Sequence, residues 1–301
     1  MLRLYEAVRL AHALVSHIAE TANVRAIFIK GPYSERLGVR RSRESADVDV
    51  IVLPETITLF TRELRAKGWD LRPSDPDEVA FPKHSVTLFH PNWPNDIDLH
   101  FRYPGLEADV YKVFDAMWSA SDQTTMAGRA IRVPKMPLAV CITALHALRT
   151  PWTKRSKDEL EFLHSMDLSS HRAEILELAR AMGAIPALAP FLRRHFGESV
   201  VGSIPLPSDE WRRRILSRSP GAARILAILA VPLKQRPLLL WRSLMPHRDG
   251  ILARNSKADV SWGARFEMQR DRWKFLIKGG PTLIQDVASY LSGRGPLPPR
   301  Q

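Results

Sequence analysis

Two aspartates, Asp47 and Asp49, lie one residue apart at the start of an apolar run, and their spacing indicates metal chemistry. The run continues through Val48–Val52 and is rich in β-branched residues, which is typical of a buried strand. Side chains alternate along a strand, so both carboxylates share one face. Ionised carboxylates at the start of a hydrophobic strand carry a desolvation cost unless a positive charge lies beside them. Carboxylate oxygens are hard ligands, which suit a divalent cation. We predict that Asp47 and Asp49 hold a catalytic metal.

A third carboxylate, Asp98, is expected to join them. The segment 96–101 alternates polar and apolar residues, which predicts a strand with Asp96, Asp98 and His100 on one face. Carboxylates on neighbouring strands can converge on two divalent ions and serve an in-line displacement at phosphorus. Asp98 is the expected third ligand, and Asp96 is expected to form hydrogen bonds in the preceding turn. His100 is interpreted as a packed or hydrogen-bonded residue, with a supporting role beside the metal ligands as the alternative.

The elements around these strands place further groups near a phosphate. A short strand over 26–29 ends at Lys30 and Gly31, where a sharp turn would bring backbone N–H groups close to phosphate oxygens. Arg43 and Ser45 directly precede the metal strand, and the planar fork of an arginine can bind two phosphate oxygens. The strands predicted over 85–90 and 96–101 are separated by a short turn, which indicates an antiparallel hairpin.

These residues resemble the polymerase-β-type nucleotidyltransferase superfamily, and within it the bacterial group of uncharacterised nucleotidyltransferases. The resemblance is carried by Ile29–Gly31, Arg43–Val52 and Asp98–Arg102, and by the helical stretch Leu138–Met182. It covers about residues 20–185 and is weak from residue 200 onward. One departure is Pro32, which follows the glycine turn and has no N–H for a phosphate contact.

The resemblance implies a role for each site residue. Asp47 and Asp49 would bind both metals, and Asp98 would bind the catalytic metal and help to deprotonate an acceptor hydroxyl. The cofactor would be Mg²⁺ or Mn²⁺, and a nucleoside triphosphate would be the substrate. The expected nucleotide-binding residues are Lys30, Gly31, Arg43, Ser45, Lys154 and Lys157, with Arg41 and Arg155 as further basic candidates.

The expected reaction transfers a nucleoside monophosphate to a hydroxyl or phosphate of an acceptor and releases pyrophosphate. The acceptor is a small molecule, peptide or protein in the first hypothesis, and tRNA or another RNA, as in nucleotidyltransferase toxins, in the second. A third hypothesis is a non-catalytic nucleotide-binding or regulatory module with a degenerate nucleotidyltransferase fold, which the Gly31-Pro32 turn favours.

Hydrophobic periodicity predicts an α+β fold: a small mixed β-sheet domain with helices, followed by an all-helical region. The expected domains are a catalytic domain over 1–135, a helical domain over 136–203 that completes the active-site cleft, a helical region over 204–292 and a disordered tail over 293–301. Within the helical region, Ala222–Trp241 is interpreted as buried helix, with membrane-surface contact as the alternative.

Composition limits the setting and the partners. The 301 residues carry a net charge of +12, which favours polyanionic partners; a dispersed, solubilising charge is an equal alternative because no dense basic run stands out. The single cysteine, Cys141, excludes an intramolecular disulfide and a cysteine-rich zinc site, and it indicates a reducing cytoplasm. Residues 1–20 are charged and helical in pattern rather than typical of a secretion signal, and no stable membrane insertion is expected.

Overall fold

The computed structural model describes residues 2–73, 81–200, 205–218, 220–243, 248–254 and 259–292. The predicted tail over 293–301 lies outside these residues. The elements of the first part of the chain are α1 Leu4–Thr21, β1 Ile27–Phe28, α2 Pro32–Arg36, β2 Asp47–Ile51, α3 Ile57–Arg65, β3 Asp70–Leu71, β4 Ser85–Phe89, β5 Asp96–His100, α4 Val110–Ser119, β6 Ser121–Met126 and β7 Arg129–Pro134.

A mixed five-stranded sheet in the order β1-β2-β5-β4-β3 forms the frame of this part. The central pair β2 and β5 is parallel, with Asp49 opposite Asp98, whereas the other pairs are antiparallel. The predicted β4–β5 hairpin is therefore confirmed. The parallel register places the carboxylates of the two central strands side by side, because paired residues on neighbouring strands point to the same face.

The opposite face of the central strands is apolar and packs into the main core. Val48, Val50, Ile97 and Leu99 are completely buried there. Helix α1 contributes the residues Val8, Ala11, Val15 and Ile18, which recur at helical spacing, and helix α3 contributes Phe60 and Leu64. Alternation along β2 and β5 thus separates a polar face, which carries the candidate chemistry, from a face that stabilises the fold.

A second hairpin, β6–β7, was only half predicted from the sequence. The alternation of Ile131 and Val133 predicts β7, but β6 has the sequence Ser-Asp-Gln-Thr-Thr-Met and lacks an apolar pattern. The two strands pair antiparallel along their whole length. Ala127 and Gly128 between them both have positive φ, at 47° and 78°, as a type I′ hairpin turn requires. Pairing with β7, rather than its own hydrophobicity, defines β6.

Helices form the rest of the described chain. They are α5 Met136–Leu148, α6 Lys154–His164, α7 Arg172–Ala181, α8 Ile185–Phe196, α9 Asp209–Leu216, α10 Pro220–Ala230, α11 Arg236–Ser243, α12 Arg248–Arg254, α13 Trp262–Lys278 and α14 Gly280–Leu291. The α+β fold class is thus confirmed. Among the described residues, no helix has the length and apolar character needed to cross a membrane.

Helix α5 is buried on almost every side and carries Cys141. The residue is 1% exposed, and burial raises the pKa of its thiol to about 12, so Cys141 is a packed core residue. Helix α5 begins at Met136, two residues after β7 ends at Pro134. The predicted domain boundaries at 135 and 203 stay predictions.

The chain divides into two compact units. One consists of Met1–Leu71 and His84–Pro207, and the other of Arg72–Lys83 and Ser208–Gln301. In the second unit, the interpretation of Ala222–Trp241 as buried helix is correct for α10 and wrong for α11. Leu226 is buried, but Leu238 and Trp241 are 54% and 74% exposed. Pro232 and a short 3₁₀ turn over Leu233–Gln235 separate α10 from α11, so one continuous buried helix does not form.

Candidate active site

The first strand delivers Lys30 to the polar face of the central strands. Ile29 donates its N–H to the Asp49 carbonyl at 3.1 Å, which fixes the end of β1 beside β2. The chain then turns at Gly31, whose φ of +81° is unfavourable for residues with a Cβ. Lys30 Nζ lies 2.6 Å from Asp49 Oδ1. The predicted glycine turn thus positions an ammonium group directly on one of the predicted metal ligands.

His100 joins the two central strands on the same face. Its Nε2 lies 2.9 Å from Asp49 Oδ1 and 3.2 Å from Asp98 Oδ2. Thr87 Oγ1 on β4 donates to Asp98 Oδ1 at 2.9 Å. Asp49 and His100 are almost completely buried, whereas 23% of the Asp98 side chain is exposed. The three strands therefore build one connected network around two carboxylates.

The charged groups of this network stabilise one another's ionised forms. Burial disfavours the ionised form of Asp49, but the Lys30 ammonium and the hydrogen bond from His100 outweigh it and hold the pKa of Asp49 well below its usual range. Burial likewise opposes ionisation of Asp98, and its hydrogen bonds with His100 and Thr87 lower its pKa. Burial lowers the pKa of His100, yet the two carboxylates reverse the shift and raise it. The two carboxylates thus lie beside the Lys30 ammonium and a histidine whose protonated form they favour.

Asp47 lies at the open end of β2 and differs from Asp49 in both exposure and pKa. The residue is exposed and opposite Asp96 in the register. Desolvation and then the negative charges of Asp49, Asp98 and Asp96 raise the pKa of Asp47, although the charge of Lys30 opposes this. Added positive charge at the site would therefore stabilise the ionised form of Asp47.

The residues present fit a divalent cation. Asp49, Asp98 and His100 each offer one ligand atom, and these atoms lie within 4.8 Å of one another. Carboxylate oxygens are the ligands that suit Mg²⁺ and Mn²⁺, whereas an imidazole nitrogen is more typical of transition metals such as Zn²⁺ and Fe²⁺. The predicted set contained Asp47 in place of His100. In the structure Asp47 is exposed at the start of β2 and is not a member of this group, and His100 links the carboxylates of Asp49 and Asp98.

The two predicted phosphate contacts before β2 have partners within the protein. Arg43 Nη2 lies 3.1 Å from Glu159 Oε1 on α6, and the Glu159 side chain is 5% exposed. Ser45 Oγ accepts a hydrogen bond from Arg40 Nη2 at 2.9 Å. The loop between α2 and β2 is thus tied to helix α6, and a phosphate would have to compete with these contacts for Arg43 and Ser45.

The other basic candidates lie at the surface of the same unit. Lys154, Arg155 and Lys157 are exposed in the first turn of α6, and Arg41 lies with its guanidinium 5.6 Å from the Phe162 ring. Burial is the largest cause that lowers the pKa of both Arg40 and Arg43. The positive charge of Arg155 also lowers the pKa of each. Arg155 is therefore electrostatically coupled to the loop before β2, whereas no direct contact links Lys154 or Lys157 to the carboxylates in the described chain.

Several residues of the network were missed by the sequence interpretation. Thr87 could have been found, because the predicted hairpin with its short turn places it opposite Asp98. Glu159 and Tyr103 could not, since their contacts depend on how helices and loops pack. The Tyr103 ring centroid lies 6.0 Å from Lys30 Nζ and 5.6 Å from the Arg149 guanidinium. His12 is also hidden in α1, where it stacks on Phe28 with ring centroids 5.2 Å apart.

The sequence matches the family described as Uncharacterised nucleotidyltransferase over residues 4–193, which is more than half of the chain. The chain belongs to this family. The match covers both sheets and helices up to α8, and with them every predicted site residue. The predicted family and the expectation that the protein is a nucleotidyltransferase enzyme are confirmed.

Three solved structures resemble this nucleotidyltransferase at low sequence identity. The antibiotic-resistance factor ANT(2″)-Ia is 13% identical, with a TM-score of 0.39 and coverage of 63% of this chain and 96% of its own. The lincosamide antibiotic adenylyltransferase LnuA, with bound lincomycin, is 16% identical, with a TM-score of 0.36 and coverage of 52% and 95%. JHP933 from Helicobacter pylori is 14% identical, with a TM-score of 0.29 and coverage of 89% and 96%. Among curated proteins, none matches.

Proposed function

We propose that this nucleotidyltransferase depends on a divalent metal and transfers a nucleoside monophosphate from a nucleoside triphosphate to an acceptor hydroxyl or phosphate. The observation that carries the proposal is the group of Asp49, Asp98 and His100, whose ligand atoms lie within 4.8 Å of one another. Bound Mg²⁺ or Mn²⁺ would supply positive charge that stabilises the phosphoryl oxygens during displacement. Family membership supports the transfer itself.

The reaction exchanges one phosphorus–oxygen bond for another. The acceptor oxygen attacks the α-phosphorus and forms a new bond, and the bond from the α-phosphorus to the bridging oxygen of pyrophosphate breaks. Asp98 accepts the proton of an acceptor hydroxyl at its carboxylate, which is partly exposed and therefore reachable. Asp47 and Asp49 would hold the metal with it, and added positive charge beside Asp47 would favour its ionised form, because burial and the neighbouring carboxylates raise its pKa.

Basic groups around the carboxylates bind the triphosphate. Lys30 is the closest of them, and its ammonium can move from Asp49 to a phosphate oxygen by rotation of a flexible side chain. Gly31, Arg43, Ser45, Lys154 and Lys157 complete the proposed nucleotide-binding set. His100 positions Asp49 and Asp98 through its two hydrogen bonds.

The acceptor is a small molecule, peptide or protein in this proposal, and the reducing cytoplasm, where nucleoside triphosphates are made, is the expected compartment. A second candidate acceptor is tRNA or another RNA, which the net charge of +12 favours. Labelled nucleoside triphosphates incubated with the protein, magnesium and a cell extract distinguish these acceptors. Label is expected in small molecules or protein, and label in the RNA fraction would favour the second candidate.

A matched pair of variants tests the site. Asp98→Asn and Asp96→Asn make the same change on the same face of β5, one at the proposed ligand and one two residues away. We expect Asp98→Asn to lower pyrophosphate release by about a thousandfold and Asp96→Asn by less than about threefold. Equal effects would contradict the assignment of Asp98.

Calorimetry separates an enzyme from a degenerate module. Binding of a nucleoside triphosphate is measured with and without magnesium, for the native chain and for the Asp47→Asn/Asp49→Asn double variant. Magnesium-dependent binding that the double variant loses supports the proposal. Binding that is insensitive to both changes would instead support a non-catalytic module, the hypothesis that Pro32 favours.

A further inference from the structure

The positive charge of the chain is concentrated in its last third. Residues 208–301 contain 18 Lys and Arg against 7 Asp and Glu, which gives a net charge of +11. Residues 1–207 contain 26 against 25, a net charge of +1. The family match ends at residue 193, so this basic region is not part of the nucleotidyltransferase match. The +12 of the whole chain is therefore a property of one region and is not dispersed.

The same region exposes most of the large apolar side chains. Eleven of the seventeen that are exposed in the described part of the chain lie between residues 233 and 291. They are Leu233, Leu238, Leu240, Trp241, Trp262, Phe266, Met268, Trp273, Ile277, Ile284 and Leu291. When a region exposes this many large apolar side chains, they often belong to an interaction surface.

Helix α13 arranges four of these side chains in one stripe. Trp262 is followed by Phe266, Trp273 and Ile277 at distances of four, eleven and fifteen residues, which places all four within about 60° around the helix axis. Their exposed fractions are 69%, 66%, 46% and 77%. The helix sequence also contains five basic residues against two acidic ones. An aromatic stripe on a basic helix is the pattern of helices that lie in a membrane interface.

Exposed basic residues of α13 form ion pairs along the helix itself. Arg270 and Lys274 are 59% and 68% exposed, and their acidic neighbours are Glu267 and Asp271 on the same helix. Because α13 has five basic residues against two acidic ones, it keeps a net positive charge when both acidic groups are paired. Long basic side chains beside an apolar stripe can hold their charged ends at the level of lipid headgroups.

We propose that α11, α13 and α14 form a docking surface for an anionic lipid membrane. The charge of +11 is complementary to acidic headgroups, and the exposed side chains gain free energy by entering the acyl boundary. Single-stranded RNA would use aromatic rings and arginines, but aliphatic side chains such as Leu238, Leu240 and Ile284 offer no ring on which a base can stack. A second copy would bring like charges together.

Vesicle flotation with the full chain tests the proposal. Neutral phosphatidylcholine vesicles are compared with vesicles that contain about 30% phosphatidylglycerol. We expect flotation with the anionic vesicles only, and weaker flotation as salt is raised, because exposed charges are screened. A protein that stays in the unbound fraction with both vesicles, or that floats equally with both, overturns the proposal.

Matched variants locate the surface. Trp262→Ser/Phe266→Ser/Trp273→Ser removes most of the stripe, and Tyr5→Ser/Tyr111→Ser removes exposed aromatic residues of the other unit, which are 48% and 50% exposed. The first variant is expected to lose flotation by about tenfold or more, and the second to retain it. Brominated lipids provide a measurement on the native chain, since tryptophans that enter the acyl boundary lose fluorescence. Absence of quenching overturns the proposal even if the triple variant fails to fold.

Two other outcomes would assign the surface to another partner and so overturn the proposal. In a gel-shift assay with a tRNA mixture, RNA binding that the triple variant loses, without flotation of the native chain, would make the partner RNA. In light scattering, a native dimer that the triple variant converts to a monomer would make the partner a second copy. The Asp49→Asn variant is expected to float like the native chain, so this test is independent of the nucleotidyl transfer.

Discussion

At the scale of single residues, His100 and His12 show how one residue type takes opposite roles on the two sides of the sheet. His100 is buried between Asp49 and Asp98, so its pKa is raised. His12 on α1 is equally buried but has no carboxylate in hydrogen-bond contact; its Nδ1 donates to the Val8 carbonyl at 2.7 Å. Burial lowers the pKa of His12 to about 4. The same side chain is thus easier to protonate beside two carboxylates and harder to protonate in an apolar environment.

His12 should make stability depend on pH in the mildly acidic range. In the unfolded chain it takes up a proton near pH 6.5, whereas the folded protein resists protonation down to about pH 4. The unfolded state binds more protons in this window, so stability is fully present above it and falls by about 3 kcal/mol as pH drops through it. Urea unfolding of the native chain and of His12→Gln from about pH 7.5 to 4.5 measures the difference. Parallel curves for the two proteins would contradict the prediction.

The shared face of the candidate carboxylates can be predicted from the sequence more readily than the residues that contact them. The alternation of Asp47 and Asp49, and of Asp96 and Asp98, is a local property of a strand, so their shared face follows from the sequence. The contact of Lys30 with Asp49 requires β1 to pair with β2, and the position of Asp98 beside Asp49 requires a parallel register that no local pattern contains. Residue types are encoded locally, whereas the network depends on pairings between distant segments.

At the scale of elements, helix α6 fixes the loop that leads into β2. Glu159 is buried and forms an ion pair with Arg43 through one carboxylate oxygen. Its other carboxylate oxygen lies 3.6 Å from His146 Nδ1. The sequence interpretation places Arg43 on a phosphate because the residue directly precedes the metal strand. It could not detect Glu159, which lies more than a hundred positions away and reaches Arg43 only when α6 packs beside the loop.

Removal of Glu159 should affect both stability and nucleotide binding. Glu159→Gln leaves Arg43 with an uncompensated, partly buried charge, so we expect the free energy of unfolding to fall by about 1–3 kcal/mol. The KM for the nucleoside triphosphate should also change, because Arg43 becomes free to reorient. Glu161→Gln on the same helix is exposed and is expected to stay within about 0.5 kcal/mol of the native chain. If both variants behave alike in urea unfolding and in KM, the contact has no such role.

The turn between α7 and α8 is a second point at which elements meet closely. Gly183 has a φ of +65°, and a Cβ at this position would lie 2.6 Å from the backbone nitrogen of Ala108. Ala108 N–H donates to the Met182 carbonyl at 3.2 Å, so this approach also contains a hydrogen bond between the turn and the segment before α4. Backbone on both sides leaves little freedom to relax.

We expect Gly183→Ala to cost about 3 kcal/mol or more, because it adds a steric clash to the cost of the left-handed conformation. Gly38→Ala is the matched control, since Gly38 also has a positive φ, +79°, but has open space around its Cβ position. That variant should lose only about 1–2 kcal/mol. Chemical unfolding curves measure both values, and similar losses would show that the contact with Ala108 is not important.

At the scale of the whole molecule, the two compact units differ in charge as well as in composition. The candidate active site is built entirely from residues of the first unit, whose sequence is nearly neutral. Most of the second unit lies in the strongly basic region after residue 207. Length and periodicity predict the α+β class and a change of character after the sheet, but not the division itself, because residues 72–83 join the second unit across a long sequence separation.

The charge difference should appear as a difference in response to salt. Repulsion among the basic residues of α9–α14 destabilises the second unit at low ionic strength, and salt screens that repulsion. Peptides from α13 and α14 should exchange amide hydrogens more slowly when sodium chloride rises from about 0.02 to 0.3 M. Peptides from β2 and β5 should change little. An equal change in both sets, measured by mass spectrometry, would contradict the prediction.

The ion pair of Lys30 with Asp49 has a further consequence: the chain provides its own counter-ion for the most buried of the three candidate carboxylates. A fold whose acidic centre is already neutralised should not need metal in order to form, in contrast to proteins that unfold when their ion is removed. We expect a chelator to abolish nucleotidyl transfer while the melting temperature stays within about 2 °C. In Lys30→Met the internal cation is gone, so added Mg²⁺ should raise the melting temperature of that variant more than that of the native chain. An equal response of both proteins would mean that the lysine does not act in place of a metal.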